Sequence, residues 1–502
     1  MTVVLEVHAA RTYFTGPEPQ LERMFECLRL KDKSAWFKAN ATLRRLGYFR
    51  NVRDREERAE KIGEIREGAK WIKFYSRRTD SFASGLLPRV KKHLRELATP
   101  FEVEDCRRQA PDLDKEFVLQ KAFSFRDTIE ARPEQFDAVL KALQKKRGLL
   151  HCATNSGKTE VACAIVAEYH RQTKTIPRVL FLIHRASLAR QTRKRFRKHL
   201  SRRIPVLLAG AGSKEIPCTG VLVATTQTAS RLVEAKNTEF REFLEQCDIA
   251  FVDELHINKA ASTSRIMDNC AASMRYGLSG TIDTSNQAKM LHYVGMTGPI
   301  IAEISNKELV QLGRSARPFI RFVEVHAGRV SGSYGYSYRR GVVRCRQRNR
   351  LILRETLRHV RKERATLITV SRVSHGRILQ RLLESATDVR CEFIWGKTPL
   401  RVREEAVKEF ERGNVAILIA SEIFNVGMDV PSIKAWVNAA GGLGWELVLQ
   451  RLGRVLRRKK GANRVYISDF VDLHNEYLLA HSLARLRHYQ KEEIAKIRIV
   501  EA

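Results

Sequence analysis

Apolar and polar positions alternate from Thr2 to Ala9, which predicts a strand. Glu22 to Leu30 and Ser34 to Leu46 carry helical spacing, and Arg53 to Lys61 is a solvated charge run. Trp71-Ile72-Lys73-Phe74-Tyr75 reads as a strand and Thr79-Asp80-Ser81-Phe82 as a turn. Leu86-Leu87-Pro88-Arg89-Val90 opens a helix running towards Ala98. Residues 1–122 thus read as a small α+β unit, separate from the rest. From Arg126 to about Ser305 the pattern changes: strand-like runs at Gly148 to Cys152, Val179 to Ile183, Val221 to Thr225, Ile249 to Val252 and Tyr276 to Ser279 alternate with helical segments. That alternation predicts a parallel sheet with crossover helices. It restarts after about residue 317, with strands at Ala365 to Val370, Cys391 to Ile394, Ala416 to Ile419, Ala435 to Ala439 and Val465 to Phe470. From about Asp472 one or two basic helices are expected. The fold class is α/β, with expected domains at 1–122, 123–312, 313–475 and a helical tail at 476–502. No fixed-period repeat is visible.

Composition adds a partner. The chain has 502 residues, 91 Lys plus Arg against 56 Asp plus Glu, and a net charge of +35. A positive excess of this size on folded domains points to a polyanion, nucleic acid above all, rather than to a solubility surface. In the first 122 residues Lys70, Lys73, Arg77 and Arg78 are interleaved with Trp71, Phe74, Tyr75 and Phe82. That mixture suits a phosphate backbone. Nine scattered cysteines form no C-x-x-C pair, so neither zinc nor iron–sulfur ligation is expected, and reduced thiols fit a cytoplasmic compartment, bacterial or phage-infected. No signal peptide and no membrane span is expected.

Chemistry is concentrated in Cys152-Ala153-Thr154-Asn155-Ser156-Gly157-Lys158-Thr159, between an apolar run and a helical one. A loop ending in Gly-Lys-Thr at a helix start cradles phosphates with backbone N–H groups. Thr154, Ser156 and Gly157 would line it, Lys158 would reach the β- and γ-phosphates, and Thr159 would hold Mg²⁺. Asp253 closes the apolar strand Ile249 to Val252 and would bind Mg²⁺ through water, while Glu254 would polarise an attacking water. Gln450, Arg454 and Arg457 share one helical face by their i, i+4, i+7 spacing. Two of them are expected to act as arginine fingers across a cleft between the two α/β domains.

Together these motifs resemble those of a superfamily 2 helicase with a DExH box, over about Arg126 to Phe470. The resemblance implies two tandem RecA-like domains using ATP and Mg²⁺. It implies adenine recognition by Arg132 and Gln135, ribose contact by Gly427 and Asp429, and coupling of hydrolysis to movement by His256, Ser279 and Thr281. It implies backbone tracking by His184, Arg185, Gln191, Thr225 and Gln227 in the first domain, and by Ser371, Arg372, Lys397, Thr398 and Ser421 in the second. Phe424-Asn425-Val426-Gly427-Met428-Asp429-Val430-Pro431 and the His184-Arg185 pair are more similar to the XPB, RadD and phage UvsW group than to DEAD-box RNA helicases. Phe74 to Pro88 resembles the leading domain of the UvsW type. The implied work is unwinding and branch migration of single-stranded, forked or branched DNA in recombination and repair. Asn155 departs from the glycine common in the loop, Cys152 from a small residue, and Trp445 from a small hydroxyl residue.

Three rivals stand beside this reading. One is an RNA helicase, because phosphate contacts carry little sugar information. A second is a duplex translocase that does not separate strands. The third is an idle DNA-binding module, which intact Lys158, Asp253, Glu254 and Arg457 argue against. Oligomeric partners stay open.

Overall fold

A computed structural model describes residues 2–32, 42, 62, 64–65, 70–113, 132–255, 260–282, 286–421, 433–442, 452–458, 461 and 463–501. Its contacts divide the chain into two compact units, Met1–His151 with Thr159–Glu303, and Cys152–Lys158 with Ile304–Ala502.

The first unit holds two sheets. Strands β1 (Val3–Val7), β2 (Arg11–Thr15), β3 (Arg29–Lys31), β4 (Trp71–Lys73), β5 (Tyr75–Ser76), β6 (Ser81–Ala83) and β7 (Phe101–Asp105) belong to the leading part. Five of them form a sheet in the order β5-β6-β2-β1-β7, while β3 and β4 pair as a ribbon. The alternation in β1 buries Val3, Leu5 and Val7 beneath the helices Glu18–Glu26 and Leu87–Glu96, against Met24, Phe25, Val90 and Leu94. The helical reading of Glu22 to Leu30 fails at its end, because cross-strand pairing of Arg29–Lys31 with Trp71–Lys73 overrides local spacing. Ser34 to Leu46, Thr42 apart, and Arg53 to Lys61 lie outside the described residues.

The second sheet of this unit has eight strands: β8 (Arg147–Cys152), β9 (Arg178–Ile183), β10 (Val206–Gly210), β11 (Ser213–Lys214), β12 (Gly220–Thr225), β13 (Ile249–Asp253), β14 (Met274–Ser279) and β15 (Ile300–Ile304). Their order is β11-β10-β12-β9-β13-β14-β8-β15. The neighbours from β10 through β8 are parallel. Near-continuous apolar runs such as Val179 to Ile183 follow from burial on both faces.

The leading sheet does not stand apart from this one. Leu291 and Val294, on the helix Gln287–Thr297, belong to the leading sheet's own core. Gly85 sits so close to that helix that a Cβ there would lie 1.9 Å from the Val294 carbonyl oxygen. Arg147 donates to the Ala9 carbonyl at 2.9 Å, and Arg108 pairs with Asp248 at 3.0 Å. The small sheet is completed by apolar side chains of the motor domain.

The second unit carries seven strands, β16 (Arg317–Val325), β17 (Thr366–Thr369), β18 (Cys391–Ile394), β19 (Ile417–Ala420), β20 (Ala435–Asn438), β21 (Arg464–Asp472) and β22 (Lys496–Val500). Their order is β18-β19-β17-β20-β21-β16-β22, and every neighbour pair is parallel. Of the basic helices expected after Asp472, Glu476–Lys491 is present. Lys496–Val500 instead pairs with β16, where an unpaired edge would otherwise be left. No helix among the described residues is long and apolar enough to cross a membrane.

Candidate nucleotide and nucleic-acid site

Cys152 ends β8, and Ala153 to Gly157 turn the chain into the helix Lys158–Thr173. The turn is tight: the Ser156 N–H donates to the Ala153 carbonyl at 3.1 Å, and Ser156 is fully buried. Asn155 and Gly157 have φ of 78° and 84°. Left-handed residues on either side of Ser156 turn the backbone N–H groups of the loop to one side, as in an anion nest. That conformation also accounts for Asn155, since asparagine is the side chain that best tolerates the left-handed region after glycine. Within the second unit, Asn155 Nδ2 donates to the Gly453 carbonyl at 2.6 Å. A Cβ on Gly453 would lie 2.5 Å from the Thr154 Cβ, so only glycine fits there.

In the first unit Asp253 is the last residue of β13, and Ser279 the last of β14. These strands are neighbours, and Ser279 lies opposite His151 of β8. The carboxyl ends of three adjacent parallel strands therefore carry His151, Ser279 and Asp253, at the edge where α/β sheets bind ligands. Asp253 Oδ1 accepts the Glu254 N–H at 3.0 Å, and Glu254 stands at φ 47°, a strained setting for a non-glycine residue. The Ser279 hydroxyl accepts the Thr281 N–H at 3.3 Å. Gln135 lies buried in the first turn of the helix Pro133–Lys145, and its Oε1 accepts the Arg132 N–H at 3.3 Å. The hydroxyl and carboxylate oxygens of Thr159 and Asp253 are the hard donors that suit Mg²⁺.

Arg454 lies on a short helical turn that includes Leu452 and Val455. Arg457 does not continue it: it forms an isolated antiparallel bridge with Ser315, while the Ala316 N–H donates to the Leu456 carbonyl. The shared helical face read from spacing is thus broken before Arg457. His256, Gly427, Asp429, Trp445 and Gln450 lie outside the described residues.

The expected nucleic-acid contacts gather at carboxyl edges too. His184 and Arg185 follow β9, 3.0 Å apart between Nε2 and Nε, and Gln191 is exposed on the next helix. Thr225 ends β12 and caps the helix Thr226–Glu234 through the Thr228 N–H, with Gln227 exposed beside it. Ser371 and Arg372 follow β17, Ser421 follows β19, and Lys397 is exposed after β18. The Thr398 hydroxyl accepts the Trp395 N–H at 3.0 Å and shapes that loop. Lys73 and Arg78 are exposed. Arg77 is engaged within the fold: it forms ion pairs with Glu18 and Glu22 and lies 4.3 Å from the Phe25 ring centroid.

Sequence reasoning also missed a buried ionic network. Arg348, in the basic run Arg339 to Arg350, is wholly buried and pairs with Asp472 at 2.8 Å. Arg485 pairs with Asp469 at 3.0 Å, and Asn438 Nδ2 donates to the same carboxylate. These arginines tie the helices Arg346–Val360 and Glu476–Lys491 to β21 of the second unit's sheet. Charge runs alone could not separate them from surface arginines.

A family model described as the type III restriction enzyme, res subunit, matches residues 128–284. A second, the helicase conserved C-terminal domain, matches residues 348–459. On two parallel-sheet domains with this phosphate loop and Asp-Glu pair, those matches define a class: the chain carries the domains of an ATP-dependent helicase. Within it, the chain is similar to the ATP-dependent DNA helicase UvsW of Enterobacteria phage T4, 24% identical over 421 residues, 78% of this chain and 81% of that protein. It is similar to the DNA 3'-5' translocase XPB2 of Sulfurisphaera tokodaii, 25% identical over 66% of this chain and 80% of that protein. The structure of S. cerevisiae Dbp5 bound to RNA and ADP BeF3 shares the fold, with a TM-score of 0.51 and 17% identity over 76% of this chain and 96% of that one.

Proposed function

We propose that this protein is an ATP-dependent DNA helicase or translocase that works on forked or branched DNA in recombination and repair, in the cytoplasm of a bacterial or phage-infected cell. The similarity to a phage DNA helicase over 78% of the chain carries this reading. When bound, ATP would supply the free energy and the γ-phosphoryl group transferred to water, and Mg²⁺ would neutralise charge on its phosphates. Lys158 and the loop N–H groups would bind its phosphates, Thr159 and Asp253 would hold the metal, and Glu254 would orient the water and take up its proton. Arg454 and Arg457 neutralise charge on the phosphoryl group. Gln135 and Arg132 contact the adenine. The regions proposed for DNA recognition, ATP binding, the helicase C-terminal domain and the tail are 1–122, 123–312, 313–475 and 476–502.

ATP turnover measured with single-stranded, duplex, forked and four-way DNA, and with RNA, tests the reading. Stimulation is expected to be greatest with forked and four-way DNA. Stimulation by RNA above all DNA forms would make it an RNA helicase. Stimulation by duplex alone, without strand separation, would make it a duplex translocase.

A further inference from the structure

The segment between β16 and the helix Arg346–Val360 has no part in the motifs above. From His326 to Cys345 it holds four arginines and no acidic residue. It folds as a short helix, Tyr334–Tyr338, continued by a π-helical turn, Arg339–Val343. Tyr338 is buried and its hydroxyl is spent on the Ala440 carbonyl, so it anchors the segment. Tyr334 and Tyr336 are each 42% exposed, and Tyr477, at the start of the helix Glu476–Lys491, is 53% exposed. Tyr334 meets Tyr477 edge-on at 6.5 Å, and the Arg339 guanidinium lies 5.8 Å from the Tyr336 ring centroid.

Beside these rings is a cavity of about 520 Å³, lined by Arg329, Val330, Gly332, His474, Asn475 and Tyr477 among others. It opens off the carboxyl ends of β16 and β21, whose last residues, Val325 and Asp472, are paired. His474 is 5% exposed. Its Nε2 contacts the Gly341 carbonyl at 3.0 Å, so that nitrogen carries the proton, and the buried Nδ1 has no hydrogen-bond partner. Glu476 stands at the rim 3.8 Å from Arg329. Arg372, already among the expected backbone contacts, is near enough for its charge to act on the Tyr334 phenol.

We propose that Tyr334, Tyr336 and Tyr477 form a stacking platform for unpaired nucleobases, with Arg339 and Arg340 on the adjoining phosphates and the His474 cavity receiving a base edge. The platform rests on the nucleic-acid reading above and deepens it. The motor motifs hold a strand by its phosphates, whereas this surface holds it by its bases, which are available only where strands are parted.

The test uses the full chain with Tyr334, Tyr336 and Tyr477 all changed to Ala, and a second variant with all three changed to Phe. Each is titrated with a single-stranded DNA oligonucleotide, the same length with abasic sites, a blunt duplex, and an RNA strand of the same sequence. The Ala variant is expected to lose affinity for the intact strand by about 5- to 150-fold per stacked base. It should keep its affinity for the abasic strand and the duplex, and its ATP turnover without nucleic acid. The Phe variant should bind like the parent. The RNA arm shows whether the platform is indifferent to the sugar, as base stacking requires. Equal losses on intact and abasic strands, or no loss on either, would overturn the platform. A parent protein that binds no strand would overturn the helicase reading and the platform with it, whereas a parent that binds and an Ala variant that matches it would overturn the platform alone.

Discussion

Asn155 shows how one backbone angle selects a side chain. At φ 78° a residue with an ordinary Cβ is strained, and the Asn155 amide also reaches Gly453. Asn155→Gly should keep most ATP turnover, because glycine adopts that angle freely. Asn155→Ala should lower stability by about 1 kcal/mol or more from strain alone. Paired melting and turnover measurements check this, and an alanine variant as stable as the parent would be the contrary result. Lys158→Ala should abolish hydrolysis and leave DNA affinity largely intact, while Glu254→Gln should bind ATP and fail to turn it over. Arg454→Ala and Arg457→Ala should each lower turnover by roughly 10³-fold or more with small changes in nucleotide affinity. Normal turnover in any of the four would remove that residue from the proposed chemistry. The phosphate loop and Asp-Glu pair were legible in sequence because residue type and order carry their chemistry. Arg77 and Arg348 were not: an arginine in a charge run looks the same whether it meets water or a carboxylate 2.8 Å away.

At the scale of elements, two histidines of the second unit set its response to acid. His359 donates through Nε2 to Ser468, which itself donates to Glu355, and its Nδ1 accepts from Arg364. His375 donates through Nε2 to Asn349. Burial, reinforced by neighbouring arginines, pushes both down to about 3. Their folded values lie below the unfolded value of about 6.5, so above that pH neither state is charged and nothing is lost. Below it the unfolded chain takes up protons that the native state refuses. Stability should therefore fall from about pH 6.5 towards 3, by up to about 1.4 kcal/mol per pH unit per histidine. Urea melts at pH 7 and pH 5 check the slope, and His375→Gln should flatten it. Superimposable curves for variant and parent would refute the assignment. The element pattern itself was largely legible: β12, β18 and β20 fall within a residue of their sequence reading. β10 and β15 were missed because short apolar runs carry little periodicity, and β22, although Lys496, Ile497, Arg498 and Ile499 alternate, lies in a basic tail read as helical.

For the whole molecule, a charge of +35 implies steep salt dependence of DNA binding. With roughly 5 to 10 neutralised phosphates, the log–log slope on duplex should be about −0.9 per phosphate. A flat dependence would contradict the polyanion reading. Removing the leading sheet is expected to do more than alter DNA preference: it uncovers Leu291 and Val294 and should lower the melting temperature of the first unit. Gly85→Val should reproduce part of that effect, at about 1–3 kcal/mol, by forcing a side chain into the Val294 backbone. Calorimetry of both variants checks it, and unchanged melting in both would show the contact to be dispensable. The same contact has a practical consequence. Cys106 follows β7 and Cys218 precedes β12, and both thiols are exposed while the other seven cysteines are buried. Dyes placed on this natural pair would span the seam at Gly85. Since the small sheet is seated on the helix Gln287–Thr297, their energy transfer should stay constant through an ATPase cycle, making the pair an internal ruler for single-molecule work rather than a reporter of motion.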